Sequence, residues 1–519
     1  VMLPRFGEGG PTHWSGRNKT FFFFSEEVRR IIRGATDASS TVPTAAQRAG
    51  DFSSGLGGLL YLQSNGTSGT TVTANPLFVT DTNGNVVQAR SGMLFRPTDG
   101  RAYVGNIIPA SDISPLALSL LTGYPLPNSG VNTFTFTPLN INNTRQESIR
   151  IDHNFNDNQR LFGRYTHDLS ETVESGGLFN NVLLPDISTT QTRVPGHVLA
   201  ISLTSILSPT MVNEATYNFS GNLIGSQLVG RGRRTDYAGS SLIPEFYPEN
   251  NNNAIPELNF SGNGTIARLA GLQGFNIKYT NHVARDVFTW TRGTHTFKFG
   301  GEISYESKDE NANNITGGSF TFNALATRGT SGTVALTQTG SSLADYLVGR
   351  PSQYQEDEFD VTVNLRFGRR EFFVQDTWRI RPNLTVDYGV RYQYFVPVKD
   401  KNNVLTGFDP ALYSRAAVPT CTTAACTALV RGTGNELNGI AVAGSTSRFG
   451  EAVSPSDKNN FSPRVGLAWD PFKSGKTIVR LGYGFYYDQT LVGIFETSSF
   501  VNPPYNNRAT FTGTGVTLA

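Results

Sequence analysis

The sequence lacks any run of about 18 consecutive apolar residues, which is the length that a membrane-spanning helix requires. Helical membrane spans are therefore excluded. Membrane-spanning β-strands remain open, because they need only about 10 residues with every second one apolar. The opening VMLPRFGEGG shows no signal peptide, so either the chain is cytoplasmic or the start of the parent protein lies outside this sequence.

Charge is also scarce. Charged residues make up 16% of the chain, whereas about 25% is usual for soluble domains. The 43 basic and 41 acidic residues leave a formal net charge of +2, so the composition indicates neither a nucleic-acid partner nor a polybasic membrane anchor. Glycine (54 residues) and phenylalanine (35 residues) are abundant, which favours a fold rich in strands and turns.

Cysteine is nearly absent, since Cys421 and Cys426 are the only two. They lie close together in a polar stretch, so they could form a small disulfide loop in an oxidising compartment or remain two free thiols. A metal site would need two more ligands, and the neighbouring threonine, alanine and leucine residues supply none.

Motifs for catalysis are missing as well. The histidines stand singly, with no HExxH motif or Cys/His cluster, and we predict that they are solvated or face a lumen; they are His13, His153, His167, His197, His282 and His295. FKSGKT at residues 472–477 resembles the end of a phosphate loop, but Asp470 occupies the position of the required first glycine. We therefore predict no enzyme activity, no cofactor and no metal site.

What the sequence does contain is strict alternation. In LTVDYGVRYQYF, at residues 384–395, apolar and aromatic residues occupy every second position, and polar residues or glycine fill the gaps. SIRIDHNF, PRVGLAWD and IVRLGYGFYYD repeat the pattern. A period of two predicts β-strands that have one apolar and one polar face.

Short and long connections alternate along the chain. Roughly eleven strands can be counted, one at KTFFFF and then five hairpins with turns at NDNQ, LSPT, RGT, RPN and PFKSGK. The long connections, rich in asparagine, glycine, threonine, serine and proline, are residues 25–147, 169–196, 222–280, 307–368 and 397–459. This alternation predicts an all-β fold, an antiparallel transmembrane barrel with short periplasmic turns and long extracellular loops. A soluble sandwich or propeller is the alternative, but nothing in those folds requires the alternation.

The strand dimensions fit a bilayer. A strand of about 12 residues at ~3.3 Å per residue, tilted by ~40°, covers roughly 30 Å along the membrane normal. Lipid would contact the apolar face, where an arginine would cost about 2–4 kcal/mol, and the polar face would line a wet lumen. The predicted lumen-facing residues are Arg150, Asp152, Arg164, Asp387, Arg391, Arg464, Arg480 and Asp488.

The long segment at residues 25–147 carries signals of its own. TNGN and TDGR predict turns of small hairpins, and SDISPLALSLLTGY predicts a short helix capped by Ser111 or Asp112. SSLADYLVGR, in a later connection, predicts another short helix that ends at Gly349. Such a helix could be a lid over the barrel mouth or could pack the loop against its neighbours.

Several sequence segments resemble those of a known protein family. They are NKTFFFFSEE, TVPTAAQRAGDFS, NIIPASDISPLALSLLTGYPLPN, RIDHNFNDNQRLFGRY, SSLADYLVGRPS, FVQDTWRIRPNLTVDYGVRYQYF, FSPRVGLAWDPF and YGFYYD. They lie in the expected order between about residues 16 and 490. In them the sequence resembles the barrel of Oar-like TonB-dependent outer-membrane receptors.

The resemblance implies a bacterial outer-membrane barrel of about 22 strands. It also implies an internal plug, energy delivered through TonB from an inner-membrane complex, and import of a ligand too large for porins. Residues 1–519 would then be about half of the barrel domain, and we expect the plug, the TonB box and the closing strands to lie outside them. The implied partners are outer-membrane lipid, TonB through the missing N-terminal region, and an unknown extracellular ligand. A passive porin, and a surface adhesin or secretion-related barrel, are the alternatives.

Overall fold

Eleven long strands form one antiparallel sheet in the computed structural model. The structure describes all residues except 1, 5–12, 16–17, 35–36, 178–183, 251–252, 272–273, 312–314, 422–431, 514–515 and 519. The long strands, in chain order, are β1 (Thr20–Gly34), β2 (Leu139–Asn156), β3 (Gln159–Glu174), β4 (Thr190–Ser208), β5 (Met211–Leu228), β6 (Phe275–Arg292), β7 (His295–Asn311), β8 (Thr362–Arg381), β9 (Leu384–Asp400), β10 (Asn460–Trp469) and β11 (Val479–Gly484).

Each long strand pairs with its neighbours in this order, so β1 and β11 are the two edges of the sheet. The five predicted turns are confirmed, and they close the hairpins β2–β3, β4–β5, β6–β7, β8–β9 and β10–β11. The count of eleven strands from the sequence is confirmed too. The sheet is therefore a meander with its short turns along one side and its long connections along the other.

The strands are longer than the sequence predicted. β1 continues to Gly34 and β2 begins at Leu139, so the first connection is 35–138 rather than 25–147. The others shorten likewise, to 175–189, 229–274, 312–361 and 401–459. The added strand ends include stretches that are polar on both faces, such as NNTRQE in β2. Beyond the apolar band both faces meet water, so alternation no longer marks the strand there.

The strand register confirms the predicted sharing of faces. Tyr388 lies opposite Val465, which lies opposite Tyr483, and all three are exposed on one face, hereafter the apolar face. The other face carries glycines and charges and is hereafter the polar face. Some carboxylates break the pattern. Asp286 lies on the apolar face, where Asn213 Nδ2 donates a hydrogen bond to it over 2.9 Å, and so does Asp376, which accepts from the Tyr388 hydroxyl over 2.8 Å.

The histidines of the long strands also lie on the apolar face, which corrects the prediction that they are solvated or face a lumen. They are His153, His167, His197, His282 and His295. Tyr165 and Tyr217 hydroxyls contact the Nδ1 atoms of His197 and His282 over 2.7 and 2.8 Å. Such pairs give the tyrosine hydroxyl and the histidine ring nitrogen a hydrogen-bond partner at the edge of an apolar surface, as in the aromatic belts of membrane proteins.

The connections contain short elements of their own. The helices are α1 (Ala45–Arg48), α2 (Pro115–Leu121), α3 (Ser342–Leu347) and α4 (Val492–Ser499), with 3₁₀ turns at Ser53–Gly55, Val104–Asn106, Ala110–Asp112, Arg234–Asp236, Ser240–Leu242, Pro248–Asn250, Pro410–Leu412 and Arg415–Ala417. The short strands are Met2–Pro4, His13–Ser15, Ala38–Thr41, Tyr61–Leu62, Ser68–Gly69, Phe78–Thr80, Val86–Gln88, Thr133–Phe136, Glu257–Phe260, Ser319–Phe322, Thr330–Ser331, Val334–Ala335, Gln353–Asp357, Thr406–Phe408, Ile440–Val442 and Arg508–Thr512. Among the described residues, no helix is long and apolar enough to cross a membrane.

Both predicted short helices exist. α2 is capped by Ser114, whose Oγ accepts from Ala117 N, and not by Ser111 or Asp112. The cap moves because Pro115 fits the first helical position, where its fixed φ and missing N–H are harmless. α3 is capped by Ser341 and is followed by Gly349 at φ +65°. TNGN turns the hairpin of Phe78–Thr80 with Val86–Gln88, as predicted.

The connections pack together into one body, hereafter the loop assembly. Its main core takes side chains from four connections and from the segment after β11, for example Leu116, Ile187, Leu258, Tyr346 and Leu518. Buried polar contacts join the same segments. Glu356 accepts from the backbone N–H groups of Phe246 and Tyr247, and Asp357 is bonded by Arg508 over 2.8 Å. The predicted weakly structured loops therefore form a folded unit.

Candidate functional site

Seven of the eight predicted lumen-facing charges lie on the polar face, in two groups at opposite ends of the sheet. Arg150 and Arg164 are directly opposite each other on β2 and β3. Arg150 also contacts Asp152 over 2.6 Å and lies 4.3 Å from the centre of the Phe162 ring. Arg150 and Asp152 are therefore paired with each other, as expected for a structural contact on a wet surface.

The second group borders a cleft. Asp387, Arg391 and Arg464 line a cavity of about 750 Å³ on the polar face between β6 and β11. Arg480 is on the same face, opposite Ala468, but does not line it. Asp488 lies past the end of β11, which stops at Gly484, so its predicted place on the strand is wrong.

Rows of paired residues define the floor of the cleft. One row runs across five strands, from Lys298 through Gln375, Gly389 and Arg464 to Gly484. A Cβ at Gly389 would lie 2.6 Å from Val374 O, so a side chain there would force the backbone to move. The glycine therefore leaves open space above the backbone of the floor, and long side chains from neighbouring strands can extend over it.

The cations of the cleft are unevenly compensated. Arg391 forms an ion pair with the buried carboxylate of Glu371. Asp387 accepts a hydrogen bond from Thr377. Within the described part of the chain, Arg285, Lys298 and Arg464 have no carboxylate partner within ion-pair distance, and each is exposed. The arrangement therefore attracts negative charge.

Sequence reasoning missed Arg285, Lys298 and Tyr486 as cleft residues. In ARDVF, Arg285 and Asp286 are adjacent, so alternation alone could not tell which of them faces a lumen. Tyr486 lies two residues beyond Gly484, the last residue of β11, and its ring centre lies 4.4 Å from the Arg464 guanidinium carbon.

A second cavity lies in the loop assembly. It has a volume of about 690 Å³ and is lined by polar side chains that include Arg233, Glu249, Asn253, Glu358 and Asp360. In the described part of the chain, no group of three or more histidine, cysteine, aspartate or glutamate residues could hold a metal ion. Cys426 lies outside the described residues, so the disulfide between Cys421 and Cys426 stays a prediction.

One carboxyl group where the loop assembly meets the polar face is strongly perturbed. Glu496 of α4 is buried against the sheet, where it contacts Lys308 of β7. Burial raises the pKa of Glu496 to about 7, and the nearby Glu310 carboxylate acts in the same direction. Lys308 also contacts Glu310, so one cation serves two carboxyl groups.

A sheet with an apolar outer surface, a charged inner surface and turns of unequal length on its two sides is the wall of an outer-membrane barrel. The sequence profile of the family described as "Outer membrane beta barrel domain" matches residues 6–518, and the chain belongs to this family. It is therefore a protein of the bacterial outer membrane.

Solved structures similar to this chain are outer-membrane proteins. The transporter YddB from Escherichia coli is 13% identical with a TM-score of 0.38, over 71% of this chain and 34% of that one. The open form of the ferric-catecholate import receptor Fiu from E. coli K12 is 11% identical with a TM-score of 0.35, over 68% and 49%. P. aeruginosa FpvA is 10% identical with a TM-score of 0.34, over 66% and 36%. The chain thus corresponds to less than half of each of these proteins. No curated protein matches it.

Proposed function

We propose that this chain forms part of the barrel of an Oar-like, TonB-dependent outer-membrane transporter that imports a large ligand, and that it has no enzymatic activity. The observation that carries the proposal is the division of the sheet into two faces. Lipid would cover the apolar face, and the polar face, with its cleft, would line the passage. The quoted motifs, which run through most of the chain in family order, support the TonB-dependent class.

The loop assembly supports a selective receptor over a general pore. The connections share a core that includes Leu116, Leu258 and Tyr346, so they form a preorganised surface rather than separate mobile loops. A preorganised surface loses less conformational entropy when it binds a ligand. Its polar cavity, bordered by Arg233, Glu249 and Asp360, is a first place for an extracellular ligand to bind.

The first experiment is to sequence the gene on both sides of this segment. We expect a TonB box and a plug upstream and about eleven further strands downstream, which together would complete a barrel of about 22 strands. A barrel that closes without a plug would favour the porin or adhesin alternatives.

The full-length protein then allows a functional test. We expect it to bind the purified periplasmic domain of TonB and to remain closed in planar lipid bilayers, because a plug would fill the lumen. Steady ion conductance without TonB binding would identify a passive channel. The absence of both conductance and TonB binding would favour an adhesin.

A further inference from the structure

The strongest unassigned feature is the cleft on the polar face. We propose that it binds an anionic group, a phosphate or a carboxylate, carried by the transported ligand. This inference deepens the proposed function, since it names the chemistry of a ligand that passes the barrel wall. It depends on the three uncompensated cations, Arg285, Lys298 and Arg464, which line the same cavity of about 750 Å³.

The spacing of the cations fits one ligand group. Lys298 and Arg464 stand in the same row, separated by Gln375 and Gly389 on the two strands between them. Three strand spacings of about 4.8 Å put their Cα atoms roughly 14 Å apart. Both side chains are long enough to approach a small anion held between them, and the Gln375 amide adds a neutral donor beneath it.

The surroundings of the Arg464 side chain suit it for contact with an anion. Its guanidinium carbon lies over the ring of Tyr486, 4.4 Å from the ring centre. A Cβ at Gly484 would come within 2.9 Å of Arg464 Cγ, so glycine leaves room for the arginine side chain. A guanidinium that contacts a ring face still has N–H groups that can bind the paired oxygens of a carboxylate or phosphate.

The nearby carboxylates do not cancel the three cations. Glu371 is paired with Arg391. Asp387 is bonded by the neutral Thr377 hydroxyl and keeps its charge, which leaves one carboxylate against the three cations. Glu302 lies opposite Arg285 in the register, but its closest cation is Arg369, at 3.9 Å. The cleft therefore keeps an excess of positive charge at a concave surface, where a field is focused and anions are concentrated.

Isothermal titration of the full-length protein in detergent, with inorganic pyrophosphate and with citrate as probes, tests the proposal. We expect at least one probe to bind, with affinity that falls as salt rises because the contacts are charge-assisted. Arg464→Gln and Lys298→Gln should each weaken binding about tenfold, and Lys298→Arg should restore most of it. The two probes distinguish a phosphate site from a carboxylate site.

Arg160→Gln is the matched control. Arg160 is an exposed cation on the same polar face, and it does not line the cleft. Equal loss of affinity in Arg160→Gln and Arg464→Gln would show diffuse attraction and would overturn the proposal, as would failure of both probes to bind. Anion binding by a protein that does not bind TonB would leave this inference standing while the proposed transport fails.

Discussion

The long-stranded sheet and the loop assembly are built by different means. In the sheet, consecutive strands pair in order, and its exposed apolar face carries residues such as Tyr388 and Val390. In the loop assembly, residues far apart in the sequence bury one another, as where the Tyr346 hydroxyl donates to Ala117 O over 2.7 Å. The sheet thus needs the bilayer to cover one face, whereas the loop assembly has a core like that of a soluble domain.

The largest expected effect separates these two regions. Tyr346 is fully buried in the core of the loop assembly. Tyr346→Ala should destabilise that assembly by about 3–5 kcal/mol, because it leaves a cavity and removes a hydrogen bond. Hydrogen exchange should speed up throughout the connections but not in β2–β9.

Leu118→Ala is the control for this substitution, since Leu118 lies on the exposed side of α2 and is 45% exposed. It should leave exchange in the connections unchanged. If Tyr346→Ala accelerated exchange only in α3, the connections would not be one cooperative unit.

The same division explains what could be predicted from the sequence. The strands were predictable because lipid on one side and water on the other impose a period of two on residues such as those at 384–395. The core of the loop assembly was not, because Leu116, Leu258 and Tyr346 lie in segments rich in glycine, asparagine and threonine, with no local period. The cleft was half predicted: Arg464 follows the alternation, but Arg285 stands beside Asp286 and does not.

A second substitution tests the apolar face directly. Val390→Arg should destabilise the sheet by about 2–4 kcal/mol, because the charge would enter lipid. Arg391→Gln, the neighbouring change on the polar face, should have an effect confined to its contact with Glu371. Unfolding by urea in liposomes measures both.

Spin labels provide the independent check on facing. A label at position 390 should report lipid and one at position 391 should report water. The reverse pattern would show that the two faces have been assigned the wrong way round.

A third substitution replaces Asp286, a carboxylate on the apolar face. Asp286 lies on the apolar face beside Ala215 and Gly301, and its hydrogen bond comes from Asn213. Asp286→Leu should raise the free energy of unfolding by on the order of 1–2 kcal/mol, since a carboxylate in the lipid band costs less than an arginine but is still unfavourable. Asp387→Leu, on the polar face, should give no such gain. Destabilisation by Asp286→Leu would instead show that a polar partner, not lipid, covers this part of the wall.

The smallest effect is expected where the two regions meet. The Glu496 carboxyl has its pKa raised from 4.5 to about 7 by burial against the sheet. The folded state therefore binds a proton that the unfolded segment releases, so docking of α4 should be strongest below 4.5 and weaken as pH rises towards about 7. Proteolysis within residues 485–513 should accordingly increase over that range.

Glu496→Gln should remove this pH dependence while keeping the shape of the side chain. The groups that face Glu496 are Lys308 and Glu310, both on β7. Lys308→Met should leave the buried Glu496 and the partly buried Glu310 without their cation, and so should shift the transition to higher pH rather than abolish it. If wild type and Glu496→Gln were cleaved with the same pH profile, the loop assembly would be joined to the sheet by the hydrophobic cluster that includes Phe500, Val363 and Leu365, and not by this carboxyl group.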